Sequence, residues 1–366
     1  MSPSALRRQI GQLLLVGFDG QQIPVELKAL AREFGLGGIV IFARNIGEPE
    51  QVAELCYEAA RLVPDLPAWV SVDQEGGRVA RLKAPFTEWP AAVTLGRSGD
   101  TALAARFGRA LAAELKAVGV TLDFAPVLDV HTNPKNAVIG DRAISGKAED
   151  VARIGAAVIR AMQEEGVAAC GKHFPGHGDT TTDSHFELPL VEHPPERLRE
   201  VEFLPFKAAI EARVASIMTA HVLVPALDDT RPATLSKRII TGILRQELGY
   251  QGVILSDDLV MKAIADEYTV PAAAVLAIEA GCDGLLICQD TDPHVQASAL
   301  EAIIHAIEDE RLPFSRVEDA LKRQRRAKER FLAAPVASRP PNARTLRDTL
   351  GRGEHRQIAD EMARFA

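Results

Sequence analysis

The run Gly171-Lys172-His173-Phe174-Pro175-Gly176-His177-Gly178-Asp179-Thr180-Thr181-Thr182-Asp183-Ser184-His185 gathers a lysine, three histidines and two aspartates directly after the apolar Val167-Ala168-Ala169-Cys170. A strand that ends in titratable residues and opens into a small-residue loop places polar groups at a site. Within the loop, Asp183 and His185 stand two residues apart. In an extended segment they face the same side, so the carboxylate can hold one ring nitrogen, fix the tautomer and stabilise the imidazolium. That pair is a candidate proton donor and acceptor. Its complement is Asp257, which follows the apolar Gly252-Val253-Ile254-Leu255-Ser256. An aspartate leaving a buried strand near Lys or Arg stays ionised and can act as a nucleophile. Two groups of unlike protonation at neutral pH are what acid/base chemistry needs.

Other apolar runs close in the same way. Ser71-Val72 leads into Asp73 and Glu75, with Arg81 just beyond. Asp129 and His131 close the next run, and Asp141 and Arg142 lie in the loop after it. Lys172 and His173, then His221, then Asp257 and Asp258, close three more. Polar residues at one end of five strands predict one shared mouth.

The elements that must position these groups are short, nearly continuous apolar runs. They are Leu13–Phe18, Gly38–Phe42, Trp69–Val72, Leu122–Val127, Val167–Cys170, Ser216–Ala220, Gly252–Leu255 and Gly284–Cys288. Continuity rather than alternation fits strands buried on both faces of a parallel sheet. Amphipathic segments separate them. Asp100 is expected to cap Thr101–Val118, Ser236 to cap Lys237–Leu248, and Ser315 with Glu318 to form a capping box before a helix ending near Phe331. Eight such units predict an α/β fold, a (β/α)8 TIM barrel, as a single domain over 1–335. An open doubly wound sheet is the alternative, but no Gly-rich dinucleotide fingerprint follows the first run. Residues 336–366 are expected to be a short C-terminal extension, a Pro-rich linker and a helix that packs on the barrel or is partly disordered.

The bulk composition fits. The chain has 366 residues, 47% hydrophobic and 25% charged, so a large core is available. A formal net charge of −8 leaves no basic excess to neutralise phosphates, which argues against a nucleic-acid partner. Cys56, Cys170, Cys282 and Cys288 sit in apolar contexts without CxxC spacing, as reduced buried thiols do. No stretch approaches a membrane span, and the N-terminal apolar run is too short for a secretion signal. The expectation is a cytoplasmic protein, a monomer or weak homodimer, with no cofactor and no metal.

The segments Lys172–Asp179 with Asp183-Ser184-His185, Ser71–Val79, Gly140-Asp141-Arg142 and Ser256-Asp257-Asp258-Leu259 resemble the signature of bacterial β-N-acetylglucosaminidases of glycoside hydrolase family 3. The matches run in family order from about residue 10 to 330. The resemblance implies a retaining two-step mechanism in which Asp257 is the nucleophile and His185, paired with Asp183, is the general acid/base. It also implies that Asp73, Arg81, Arg142, Lys172 and His173 hold the sugar. The implied substrate is a small carbohydrate, a GlcNAc-containing muropeptide of peptidoglycan recycling. Many members of the branch read Ser-Asp-Asp-Leu-Ser-Met; here Val260 precedes Met261, a departure that bears on the wall of the site rather than on the nucleophile.

Other readings remain open at this level. A phosphorylase of the same family would use the histidine donor to avoid repelling phosphate. Substrate-assisted attack by the acetamido oxygen would have Asp257 and Asp258 orient it. A metal-dependent hydrolase would draw on His131, His173, His177 and His221 with Asp257. A non-catalytic sugar-binding protein would lack the nucleophile or the acid.

Overall fold

The computed structural model describes residues 3–63, 66–184, 187–289, 291–333 and 339–366. Eight short strands lie parallel: β1 Leu14–Val16, β2 Gly38–Ile41, β3 Trp69–Val72, β4 Leu122–Asp123, β5 Ala168–Phe174, β6 Ser216–Thr219, β7 Val253–Asp258 and β8 Gly284–Ile287. Each pairs with its neighbour in sequence, and β1 pairs with both β2 and β8, closing the sheet into a barrel. Helices α1 Val25–Phe34, α2 Pro49–Ala59, α3 Thr101–Val118, α4 Ala148–Glu165, α5 Leu204–Glu211, α6 Arg238–Glu247, α7 Val270–Ala280 and α8 Pro293–Glu308 follow the strands in turn. This is the expected (β/α)8 barrel.

The apolar runs are continuous because both strand faces are buried. Leu15, Val40, Trp69, Met218 and Leu255 fill the barrel interior, while Val16, Ile39, Val70, Ile217 and Ile254 pack outward beneath the helices. At the N-terminal ends of the strands, α9 (Phe314–Phe331) plugs the floor. Trp69 Nε1 donates to Gln324 Oε1 at 3.1 Å. The buried Lys328 ammonium donates to Gln12 Oε1 and Gly37 O at 2.7 and 2.8 Å, and burial holds its pKa well below the usual lysine value.

Several local expectations are revised, and two expected caps form. Strand β4 is only two residues long, because Pro126 has no N–H for the ladder; Val127 still bridges to Lys172. Strands β5 and β7 run past their apolar cores to include Lys172, His173 and Asp257, whose side chains have polar partners at the mouth. Asp100 caps α3 as expected, accepting from Ala102 N at 2.7 Å, and Ser236 Oγ accepts from Ile239 N at the start of α6, which is wound as a π-helix. Ser315, by contrast, caps nothing: α9 already begins at Phe314, after Pro313.

Beyond the barrel, α10 (Ala343–Thr349) and α11 (Gly353–Ala363) lie against α3. The buried Glu114 of α3 makes the joint. Its carboxylate accepts from Thr87 N and Thr87 Oγ1 at 2.8 and 2.7 Å, from Gly351 N at 2.9 Å, and meets His355 Nδ1 at 2.7 Å. All four cysteines are buried and unpaired, and among the described residues no helix is long and apolar enough to cross a membrane. Glu114→Ala strands several buried donors and should lower the unfolding free energy by about 2–4 kcal/mol. Urea unfolding checks this, and a loss under about 0.5 kcal/mol would dismiss Glu114 as the joint.

Candidate active site

At the C-terminal ends of the strands a cavity of about 280 Å³ opens. Asp73, Arg81, Arg142, Lys172, His173, Asp183 and Asp257 all line it, together with Glu75, His177, Ser184 and the apolar Phe42, Met218 and Met261. His185 lies outside the described residues. Seven of the eight residues to which the resemblance gives a catalytic or sugar-holding role therefore share one space.

A ribbon after β3 supplies one wall. Gln74–Gly76 pairs antiparallel with Val79–Ala80, and Gln74 Oε1 accepts from Arg81 N and Leu82 N at 2.8 and 3.0 Å. This sets Asp73, Glu75 and Arg81 beside the end of β5. There Lys172 Nζ meets Asp73 Oδ1 and Glu75 Oε1, each at 2.7 Å. Arg142 grips both oxygens of Glu75, through Nε and a terminal nitrogen, at 2.9 Å. Arg81 reaches Asp73 Oδ2 at 3.4 Å, with Phe42 under its guanidinium. Burial opposes charging Glu75, but Lys172 and Arg142 hold its carboxyl well below the usual range. The same pairing holds Lys172 and Arg142 above theirs, against burial.

The loop after β4 supplies a second wall. Asp129, wholly buried, meets His173 Nδ1 at 2.7 Å and accepts from His177 N at 2.6 Å. Burial works against its ionisation, yet the two histidines keep its carboxyl below the ordinary value. The chain after β5 comes so close that a Cβ on Gly178 would sit 2.0 Å from Val130 O. Only glycine fits there.

Asp257 and its neighbour point to different tasks. The Asp257 carboxyl is held below its usual value: burial opposes this, while His221, His173, the Asp258 N–H and Lys172 favour the charge. Asp258 turns towards β8, accepting from Cys288 N at 3.1 Å and Gln289 N at 2.9 Å. Burial, with Asp257 beside it, pushes its carboxyl up to about 6 despite those donors. Both Asp258 oxygens are thus committed to the barrel rim, which counts against Asp258 orienting a substrate amide. His221 Nε2 donates to Asp258 O at 2.9 Å. Val260 packs against the core, and Met261 alone of that pair reaches the cavity.

Glu75 is the cavity side chain that the sequence underweighted. Its signal was present in Asp73-Gln74-Glu75, where residues two apart on a ribbon share a face. Among the described residues, no group of three or more His, Cys, Asp or Glu is arranged to hold a metal ion.

Residues 5–327 match the glycosyl hydrolase family 3 N-terminal domain model. The β-hexosaminidase of Methylococcus capsulatus is 43% identical over 286 residues, 76% of this chain and 83% of that protein. Among solved structures, the family 3 β-N-acetylglucosaminidase of Paenibacillus sp. FPU-7 is 41% identical, covers 98% of this chain and 68% of its own, and superposes with a TM-score of 0.94. NagZ of Neisseria gonorrhoeae, solved with N-trifluoroacetyl-D-glucosamine, is 30% identical over 97% of this chain and 98% of its own, with a TM-score of 0.77.

Glu75 binds fewer protons folded than unfolded. Its stabilisation is therefore present above the unfolded value near pH 4.3 and lost as pH falls through the depressed folded one. Glu75→Gln should cost about 3 kcal/mol at pH 7 and flatten the loss of stability between about pH 4.5 and 3. Urea unfolding across that range measures both, and parallel wild-type and variant curves would contradict the ionic account.

Proposed function

The chain belongs to glycosyl hydrolase family 3, as a glycoside hydrolase of the β-N-acetylhexosaminidase type, and on that premise we propose that it is a retaining exo-β-N-acetylglucosaminidase. It removes non-reducing terminal β-linked GlcNAc through a covalent glycosyl-enzyme. The observation that supports this best is that Asp257, favoured as a carboxylate, opens into the same cavity as the Asp73–Lys172–Arg81 wall and Asp183.

In the first step Asp257 attacks the anomeric carbon as the glycosidic C–O bond breaks, and His185, oriented by Asp183, gives its proton to the leaving oxygen. In the second step neutral His185 takes a proton from water, the water oxygen bonds to the anomeric carbon, and Asp257 leaves as carboxylate. Positive charge grows at the anomeric centre in each transition state, next to an anionic Asp257. Lys172 uses two of its three donors on Asp73 and Glu75, so one remains for a sugar hydroxyl. Asp73 accepts from the sugar, Arg81 and Arg142 donate, and His173 presents the ring nitrogen that does not face Asp129. Glucosamine specificity takes support from the NagZ complex with an N-acylated glucosamine. Muropeptides of peptidoglycan recycling are the proposed natural substrates, and a reducing, cytoplasmic setting fits four free buried thiols.

A 2-fluoro GlcNAc-type glycoside should label Asp257 alone, read by mass spectrometry of the digest; a label elsewhere, or none with turnover intact, contradicts the nucleophile. Asp183→Ala should lower kcat/KM on chitobiose roughly 10²–10⁴-fold and spare a 2,4-dinitrophenyl glycoside, whose leaving group needs no proton. Equal losses on both would remove the acid role. Sugar-1-phosphate formed in phosphate buffer would reassign the enzyme as a phosphorylase.

A further inference from the structure

Ser184 is buried inside a loop otherwise rich in Gly and Thr. Its hydroxyl stands 3.3 Å from His177 Nε2, and its carbonyl accepts from Ala263 N at 3.2 Å. His177 belongs to the turn after β5, and Ala263 to the short helix Lys262–Ala265 that follows Asp257. One residue therefore fastens the Asp183 loop to both halves of the cavity.

His177 is a firm anchor. Its N–H donates to Asp129 at 2.6 Å, its carbonyl accepts from Asn136 Nδ2 at 2.7 Å, and its Nδ1 meets Thr180 Oγ1 at 2.7 Å. Burial lowers its pKa, reinforced by His173 close by and opposed by Asp129. A neutral ring has one donor and one acceptor, which two hydroxyls can satisfy. Nothing in the reaction proposed above uses His177 or Ser184.

We propose that Ser184, seated by His177, is a positioning residue: it sets where the Asp183 loop stands relative to Asp257. This rests on the reading that the loop carries the proton donor. A loop displaced by about 1 Å costs a proton transfer far more than it costs binding.

The test compares Ser184→Ala and Ser184→Thr with the wild type on chitobiose and on the 2,4-dinitrophenyl β-GlcNAc glycoside. Ser184→Ala should lower kcat/KM on chitobiose roughly 10- to 100-fold and leave the activated glycoside within about 2-fold, while Ser184→Thr restores the first. Equal losses on both substrates, or none, overturn the proposal. Asp183→Ala on the same substrates separates the two claims. If it is selective while Ser184→Ala is silent, only the Ser184 proposal falls; if it is unselective, the acid reading falls. Hydrogen–deuterium exchange decides the positioning claim in either case. Exchange over residues 179–184 should quicken in Ser184→Ala and in His177→Asn with β5 and β7 unchanged, and unaltered exchange there overturns the proposal.

Discussion

The buried ammonium of Lys172 is the constraint around which the mouth of this barrel is organised. A lysine taken out of water needs its charge matched, and Asp73 and Glu75 match it at 2.7 Å each. Two carboxylates so close need a second cation, which Arg142 supplies through its fork on Glu75. The four groups come from the end of β3, the loop after β4 and the end of β5. The frame can form only when the barrel has brought these strands side by side. Once formed, it fixes donors and acceptors at the cavity before anything binds there, which is the preorganisation the proposed reaction needs.

Two further buried aspartates are put to opposite uses. Asp129 is kept charged by His173 and His177 and so joins the end of β5 to the turn after it. Asp258, next to Asp257 in the chain, is pushed up instead and tied to the backbone of β8. Of these neighbouring carboxylates, both of which line the cavity, Asp257 is the more readily ionised and Asp258 the one whose oxygens are tied to backbone N–H groups.

Much of this was legible in the residues. Runs such as Gly38–Phe42 and Ser216–Ala220 are apolar on both faces, as barrel strands must be, and their polar ends marked the mouth. Boundaries were less so. Strand propensity stops at Cys170, whereas β5 continues through Lys172 and His173, held by ion pairs, to Phe174, which packs against Phe203 and Phe206. Pro126 shortened β4 for the opposite reason, and Pro313 with Phe314 fixed the start of α9 before Ser315 could cap it. Contacts between distant segments left the weakest trace. Neither the Glu75–Arg142 fork nor the meeting of His177 with Ser184 follows from local spacing, since each depends on how two loops fold over one another.

The most direct measurement is a crystal structure of the protein soaked with GlcNAc. The account predicts one pyranose between the Asp73–Arg81–Lys172 wall and Asp257, with the anomeric carbon about 3–3.5 Å from an Asp257 carboxylate oxygen. A sugar bound elsewhere, or one whose anomeric carbon faces away from Asp257, would contradict it.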